Sequence, residues 1–271
     1  MGTELALHLN KDHDLVVWNR TKEKTQTLAE AGAVVADSAA EAINADGVEA
    51  VVTSLFGPDT VREVIIQPRL IPEGLLWIDT TTVSPAEAEE FATAVPSYVA
   101  APVVGTLGPA REGGLGVYVG TRDDALRQRA VEIVRPWAAK NSDRLKAVDH
   151  PAKAATGKLL ANLALAVSAE GLLEALQLAE ATGTPADEAL DMLDYTGLAF
   201  IKNMKAPFVL GERETSPGDF TVDAIAKDAR LMLATAEKEL AAVRSALESL
   251  ERQQEEGRGN HDFSAMLVNR S

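Results

Sequence analysis

A doubly wound α/β domain followed by an all-helical one is the fold this sequence predicts, and three observations predict it. In the first half, short β-like apolar runs alternate with helical stretches, the pattern of repeated βαβ units. Those runs are uninterrupted, as strands covered on both faces require. From Ala152 onward helical periodicity prevails almost alone. The change falls at His150-Pro151, so residues 1–149 are expected to form the α/β domain and residues 150–271 the helical one.

The predicted strands, in order, are 15–18, 33–35, 50–53, 75–78, 98–100, 116–119 and 145–148. Each is a run of Val, Ile, Leu, Ala or aromatic residues. Between them lie helical patterns at 22–31, 39–44, 60–65, 85–94 and 123–140. The clearest helix start is Ser84-Pro85-Ala86-Glu87, with Ser84 at the N-cap, Pro85 at the first helical position and Glu87 closing a capping box. The stretch 101–115 is read as a glycine-proline loop between strands. In the second half, Gly183-Thr184-Pro185, Gly197, Gly211 and Ser216-Pro217-Gly218 break the helices. Residues 229–254, rich in Ala, Leu, Glu and Arg, read as one or two helices.

Composition narrows the function. A chain of 271 residues with 46% hydrophobic residues can bury a sizeable core. A net charge of −15 disfavours nucleic acid, whose phosphates need a basic face, and anionic membrane surfaces. The absence of Cys excludes disulfides, thiolate metal sites and Cys nucleophiles. His8, His13, His150 and His261 show no metal-ligand spacing, so no metal is expected. No apolar run reaches about 18 residues without a charge, so no transmembrane helix is expected. With no signal peptide at the N-terminus, the expectation is a cytoplasmic protein.

Lys158 is the most informative residue. It sits in Gly157-Lys158-Leu159-Leu160-Ala161-Asn162, inside an otherwise apolar helical segment. Lys158 and Asn162 are four apart and share a helix face. A partly desolvated Lys can exchange a proton near neutral pH, which suits a general acid/base; the alternative is a Lys snorkelling from a core helix to solvent. Trp18-Asn19-Arg20-Thr21 follows the strand that should be second in a dinucleotide-binding fold. An acid there would hydrogen-bond the 2′-hydroxyl of NAD. Arg20, flanked by Asn19 and Thr21, instead suits the 2′-phosphate of NADP, unless this is an ordinary solvated turn.

No G-x-G-x-x-G occurs in the chain, yet Met1-Gly2-Thr3-Glu4-Leu5 looks like the end of such a loop and its helix. Gly2 lies 18 residues before Arg20 (20 − 2), near the separation between a phosphate loop and its ribose-reading residue. The first strand and first two glycines are therefore expected to be missing; the alternative is a domain that begins differently. Asp79-Thr80-Thr81-Thr82-Val83-Ser84-Pro85 places hydroxyls after a strand, at the sheet edge where ligands bind. In the 101–115 loop, Gly105 and Gly108 let backbone N–H groups approach a small anion. Lys227-Asp228 opens the late helical tract and by itself reads as a surface pair.

Taken in order, these segments resemble the β-hydroxyacid dehydrogenase family, which includes 3-hydroxyisobutyrate dehydrogenases and tartronate, glyoxylate and succinic semialdehyde reductases. The resemblance covers nearly the whole chain. It implies a Rossmann-type cofactor domain, a long interdomain helix and an all-α 6-phosphogluconate dehydrogenase-like C-terminal domain used in oligomerisation, hence a homodimer. It implies Lys158 as the catalytic lysine and Asn162 as its partner. Gly2, Asn19, Arg20, Thr21, the pair Leu55 and Phe56, and Thr82 and Lys227 at the nicotinamide end become cofactor-binding residues. The cofactor implied is NADP (as NADPH), with NAD possible. Val104, Gly105 and Thr106 become the substrate-binding loop for a small β-hydroxyacid or semialdehyde. The chain departs from the family in having Phe56 where many members have Pro, Val104 where many have Ser, and no first strand. Two other readings compete: an imine reductase-like enzyme, whose members usually carry Asp or Tyr at the Lys158 position, and a truncated non-catalytic paralogue acting as an assembly module.

Overall fold

Eight strands precede residue 149: β1 (Val16–Val17), β2 (Val34–Val35), β3 (Ala50–Thr53), β4 (Leu76–Asp79), β5 (Tyr98–Ala100), β6 (Val103–Val104), β7 (Gly116–Gly120) and β8 (Leu145–Val148). They come from a computed structural model that describes residues 1–269. β1 and β2 pair in parallel as a small sheet of their own. The larger sheet runs β3-β4-β5-β7-β6, with β8 on β7. Neighbours β3-β4-β5 are parallel, as is β7-β8, whereas β7 runs antiparallel to both β5 and β6. The sheet is thus mixed.

The 101–115 stretch departs from the loop expected there. Only Ala101-Pro102 separate β5 from β6, and a short helix, Leu107–Arg111, follows before the chain returns as β7. β5 and β6 keep one register against β7, with Ala100 opposite Gly120 and Val103 opposite Val117, so they run in the same direction and the chain reverses only between Val104 and Gly116. Arg62–Ile66 also departs: it is one turn of π-helix continuing Pro58–Val61. The capping box is present in full, with Glu87 N–H donating to Ser84 Oγ and Ser84 N–H donating to Glu87 Oε2.

Alternation along β4 and β5 explains how the sheet holds two cores. Leu76, Ile78 and Val99 face one cluster with Leu5, Leu9, Val117, Val119, Val134 and Trp137. Trp77, Tyr98 and Ala100 face the other with Val51, Val61, Ile65, Phe91 and Ala154. Helices cover both faces, which is why these strands are apolar at every position but the last of β4, Asp79. Trp137 also donates its indole N–H to the Leu5 carbonyl, tying the helix Gly2–Leu9 down.

The chain divides into two units, Met1–Lys158 and Leu159–Ser271. Among the described residues the second is helical apart from a single bridge between Thr221 and Asp262: the remainder of Pro151–Ala181, then Ala186–Met192, Ala199–Val209, Val222–Thr235, Ala241–Glu255 and Ala265–Val268. Its core gathers Leu172, Leu176, Ile201, Ile225, Ala229, Val243, Leu250 and Phe263. The helix Pro151–Ala181 is long and apolar enough to cross a membrane by length and composition. Many of its apolar residues have partners within the protein instead, Leu159, Ala166, Ala169, Leu172 and Leu173 among them.

The first turns of that helix lie unusually close to β7. A Cβ at Gly120 would come 2.5 Å from the His150 carbonyl oxygen and 2.8 Å from Ala154 Cβ. A Cβ at Gly157 would meet the Tyr118 ring at 2.7 Å. Gly120→Ala is expected to lower stability by roughly 1–3 kcal/mol, the range for overpacking, read as a shift in the urea midpoint at constant slope.

Candidate active site

At the carboxyl end of β4 the chain buries an acid. Asp79 is 1% exposed. Its Oδ1 accepts from Thr53 Oγ1 at 2.7 Å, Thr81 Oγ1 at 2.6 Å and the Thr81 amide at 3.1 Å. Tyr98 donates more distantly to Oδ2, at 3.5 Å. Burial pushes the Asp79 carboxyl up to about 6, and the Thr81 and Thr53 hydrogen bonds pull the other way. Burial, with the Asp79 charge behind it, likewise raises the Tyr98 phenol well above its ordinary value.

Around this acid the ends of β3 and β4 are stitched together. Thr53 Oγ1 accepts from the Trp77 indole at 2.8 Å. The Thr80 amide and hydroxyl both donate to the Thr53 carbonyl. Thr81 Oγ1 accepts from the Leu55 amide at 3.1 Å. These bonds set the backbone that carries Leu55, Phe56 and Thr82. Phe56 is 57% exposed, and Leu55 and Thr82 are half-buried.

Of the other expected cofactor residues, Gly2, Asn19, Arg20 and Thr21 lie in the same unit and Lys227 lies in the helical one. Arg20 is exposed in the turn after β1, where Asn19 Nδ2 donates to the Thr21 carbonyl at 2.8 Å. Thr21 starts the short 3-10 helix Lys22–Thr25 without capping it through its side chain. Gly2 begins its helix beside the residue after β3: a Cβ there would come 3.2 Å from Ser54 Cβ. That helix has no side-chain cap, and first-turn amides lack intrahelical acceptors. The arrangement fits the phosphate of a dinucleotide.

Val104, the last residue of β6, is half-buried, and Gly105 after it is exposed. Gly105 has φ +142°, and a Cβ there would come 2.7 Å from Leu115 Cδ2, so glycine is required on both counts. Thr106 precedes the helix Leu107–Arg111 without a side-chain cap.

In the second unit the structure joins two segments 66 residues apart. Asn162, 4% exposed, donates from Nδ2 to Asp228 Oδ2 at 2.6 Å. Lys227 Nζ donates to Asp228 Oδ1 at 2.5 Å. Asp228 is 2% exposed, so the pair is not the surface pair its sequence position implies. Lys158 is half-buried, one turn before Asn162 on the continuous helix Pro151–Ala181. Asp79 and Asp228 are the residues that reasoning from sequence left out of the site. Both stood inside motifs already singled out, and an acid in an otherwise apolar or hydroxyl-bearing run is the signal that could have found them.

The sequence profile of the family described as the NAD binding domain of 6-phosphogluconate dehydrogenase matches residues 1–146. Glyoxylate/succinic semialdehyde reductase 1 of Arabidopsis thaliana is 28% identical over 284 residues, spanning 98% of this chain and 94% of the relative. Among solved structures, Mycobacterium tuberculosis 3-hydroxyisobutyrate dehydrogenase with L-serine superposes with a TM-score of 0.82 at 23% identity, covering 99% of this chain and 95% of that one. An imine reductase from Myxococcus stipitatus in complex with NADP+ superposes at 0.62 with 21% identity, covering 100% and 96%. At those identities the structural likeness speaks for the fold.

The Asp79 carboxyl has a consequence with a definite sign. Folded, it keeps its proton up to about pH 6, whereas unfolded it releases it near 3.8. Between those values the folded state binds more protons, so this contribution to stability is full below about pH 4 and is lost as pH rises through about 6. A shift of this size corresponds to ~3 kcal/mol. The stability of the wild type minus that of Asp79→Asn, from urea unfolding at each pH, is expected to fall by about that amount between about pH 4 and pH 7. A difference that stays flat contradicts the buried, titrating acid.

Proposed function

We propose, for a chain that belongs to the family of the NAD binding domain of 6-phosphogluconate dehydrogenase, a reversible NADP-dependent oxidoreduction of a small β-hydroxyacid and its semialdehyde. The broader class is an NAD(P)-dependent oxidoreductase acting on CH–OH groups. One observation carries the reading. Asn162 and Lys227-Asp228, picked out separately in the sequence, meet in one buried hydrogen-bonded group.

The residues have distinct tasks. Arg20, Asn19 and Thr21 hold the ribose 2′-phosphate, and the first turn of Gly2–Leu9 faces the pyrophosphate. Leu55, Phe56 and Thr82 meet the cofactor at the ends of β3 and β4, and Lys227 is assigned to its nicotinamide end. When bound, the nicotinamide supplies the hydride chemistry. The chain supplies the proton: Lys158 gives one to the substrate oxygen as a carbonyl becomes a hydroxyl, and takes it back in the reverse direction. Asn162, its Nδ2 held by Asp228, orients the reacting carbonyl. The amides of Gly105 and Thr106 receive the substrate carboxylate. Val104 offers no hydroxyl there, which leaves the carboxylate to backbone donors and relaxes the demand for a plain hydroxyacid.

The helical unit is assigned to a homodimer contact. In support, four large apolar side chains of this unit, Leu160, Leu178, Met192 and Phe200, are each at least 60% exposed.

Lys158→Ala is expected to leave NADPH affinity unchanged and to cut turnover by at least ~10²-fold, the lower range for general acid assistance; unchanged turnover removes Lys158 from the mechanism. Arg20→Asp should move the ratio of kcat/KM for NADPH over NADH toward NADH, and an unmoved ratio reduces Arg20 to a turn residue. The substrates for both assays are a panel of semialdehydes, glyoxylate and cyclic imines. Turnover of the imines alone points to the imine reductase reading, and failure to bind NADPH at all points to a non-catalytic assembly role.

A further inference from the structure

We propose that Asp79 is a positioning residue that sets, through hydrogen bonds alone, the conformation of two separate strand ends: residues 54–56 after β3 and residues 80–82 after β4.

The polarity of the network requires an acceptor at position 79. Thr53 Oγ1 already accepts the Trp77 indole N–H, so its own proton goes outward, to Asp79. Thr81 Oγ1 already accepts the Leu55 amide, so its proton goes to Asp79 as well. The Thr81 amide points at the same oxygen. Three donors from two elements converge on Oδ1, in a place where Thr53, Asp79 and Thr81 are each under 9% exposed and where water cannot replace them. Buried donors left without an acceptor are costly.

From Asp79 the order passes outward in two steps. The first fixes Thr81, immediately before Thr82. The second runs from Thr81 Oγ1 to the Leu55 amide, immediately before Phe56. The Thr80 amide and hydroxyl, both on the Thr53 carbonyl, hold the same two segments in register. The acid does not itself reach a ligand. It presents Leu55, Phe56 and Thr82 in one arrangement before a ligand arrives, so that less ordering remains to be done on binding. The effect on cofactor affinity rests on the reading of those three residues as cofactor contacts; the ordering of the two segments does not.

The test compares Asp79→Ala with Asp79→Asn in the full-length protein. Asn keeps one acceptor oxygen for the three donors, and Ala removes it. Amide hydrogen exchange followed by mass spectrometry reads the ordering, and NADPH fluorescence titration and steady-state kinetics read the binding. For Asp79→Ala we expect faster exchange confined to 54–56 and 80–82, with the helical unit unchanged. The NADPH dissociation constant should rise about tenfold or more, the equivalent of one lost buried hydrogen bond. The rise should fall on KM for NADPH, with kcat at saturating cofactor largely retained. Asp79→Asn should restore both readouts most of the way. Should Asp79→Ala fail to fold, Thr81→Val tests the same relay: it removes only the hydroxyl between Asp79 and Leu55, and should release the Leu55 amide. Exchange at Leu55 and Thr81 that is unaltered in the folded variants overturns the proposal. Faster exchange beside a wild type that binds no NADPH supports the positioning role and overturns the functional reading instead. Cofactor binding that is equally tight in wild type and Asp79→Ala, despite faster exchange, overturns the claimed effect on affinity.

Discussion

A helix can approach a strand only as closely as the atoms between them allow, and at Gly120 and Gly157 there are no side chains between them. The whole start of the helix Pro151–Ala181 is set by that contact. Its first turns rest on β7 through Ala154, against the His150 carbonyl, and the Tyr118 ring fills the space a side chain at 157 would take. Lys158 is the next residue, so its position on the strand-bearing unit follows from the glycine before it. Further along the same helix the constraint changes kind. Leu159, Ala166, Ala169, Leu172 and Leu173 are held by apolar packing in the helical core, and Asn162 by a hydrogen bond to Asp228.

Both units use a buried acid to organise neighbouring polar groups. Asp79 gathers donors from β3 and from the segment after β4; Asp228 gathers the amide of Asn162 and the amine of Lys227. A third, Asp262, accepts from Lys205 Nζ at 2.7 Å in a pair that is almost wholly buried. Burial lowers the Lys205 amine below its ordinary value although Asp262 opposes this, and the amine also lies 3.8 Å from the centre of the Phe263 ring. A carboxylate suits this task because its oxygens accept several bonds each, where a hydroxyl accepts and must also donate. Asp79 differs from the other two in having no cation among its hydrogen-bond partners. Hydroxyls and one amide compensate it instead, which is why desolvation dominates its acidity.

How much of this was legible in the sequence depended on whether the cause was local. The strands 50–53, 98–100 and 145–148 coincide with β3, β5 and β8, because an apolar run bounded by turn residues is a local signal. The helix 85–94 was readable for the same reason, its capping box lying within four residues. β6 and the helix Leu107–Arg111 were not: Gly105, Gly108 and Pro109 look like a loop, and only pairing with β7 makes Val103-Val104 a strand. The direction of β7 was likewise invisible, since an apolar run reads the same in either sense. Lys158 stands out by residue type against its apolar surroundings and Asn162 by its spacing from it, whereas Lys227 enters through the family resemblance alone. Asp228 and Asp79 were named in their motifs without a task, because the tasks are contacts across 66 and 26 residues. No periodicity encodes such contacts.

The separation of β1-β2 from the larger sheet also bears on how the protein behaves in quantity. β1 and β3 each have a ladder partner on one side only among the described residues. Short parallel edges with half-buried valines, Val16, Val17 and Val52, are the kind of surface on which a second molecule can add its own backbone. A charge of −15 keeps like chains apart at low ionic strength, and that protection weakens as salt shortens the reach of the repulsion. Unpaired strand edges and net charge therefore act in opposite directions on self-association, and salt weakens only the second.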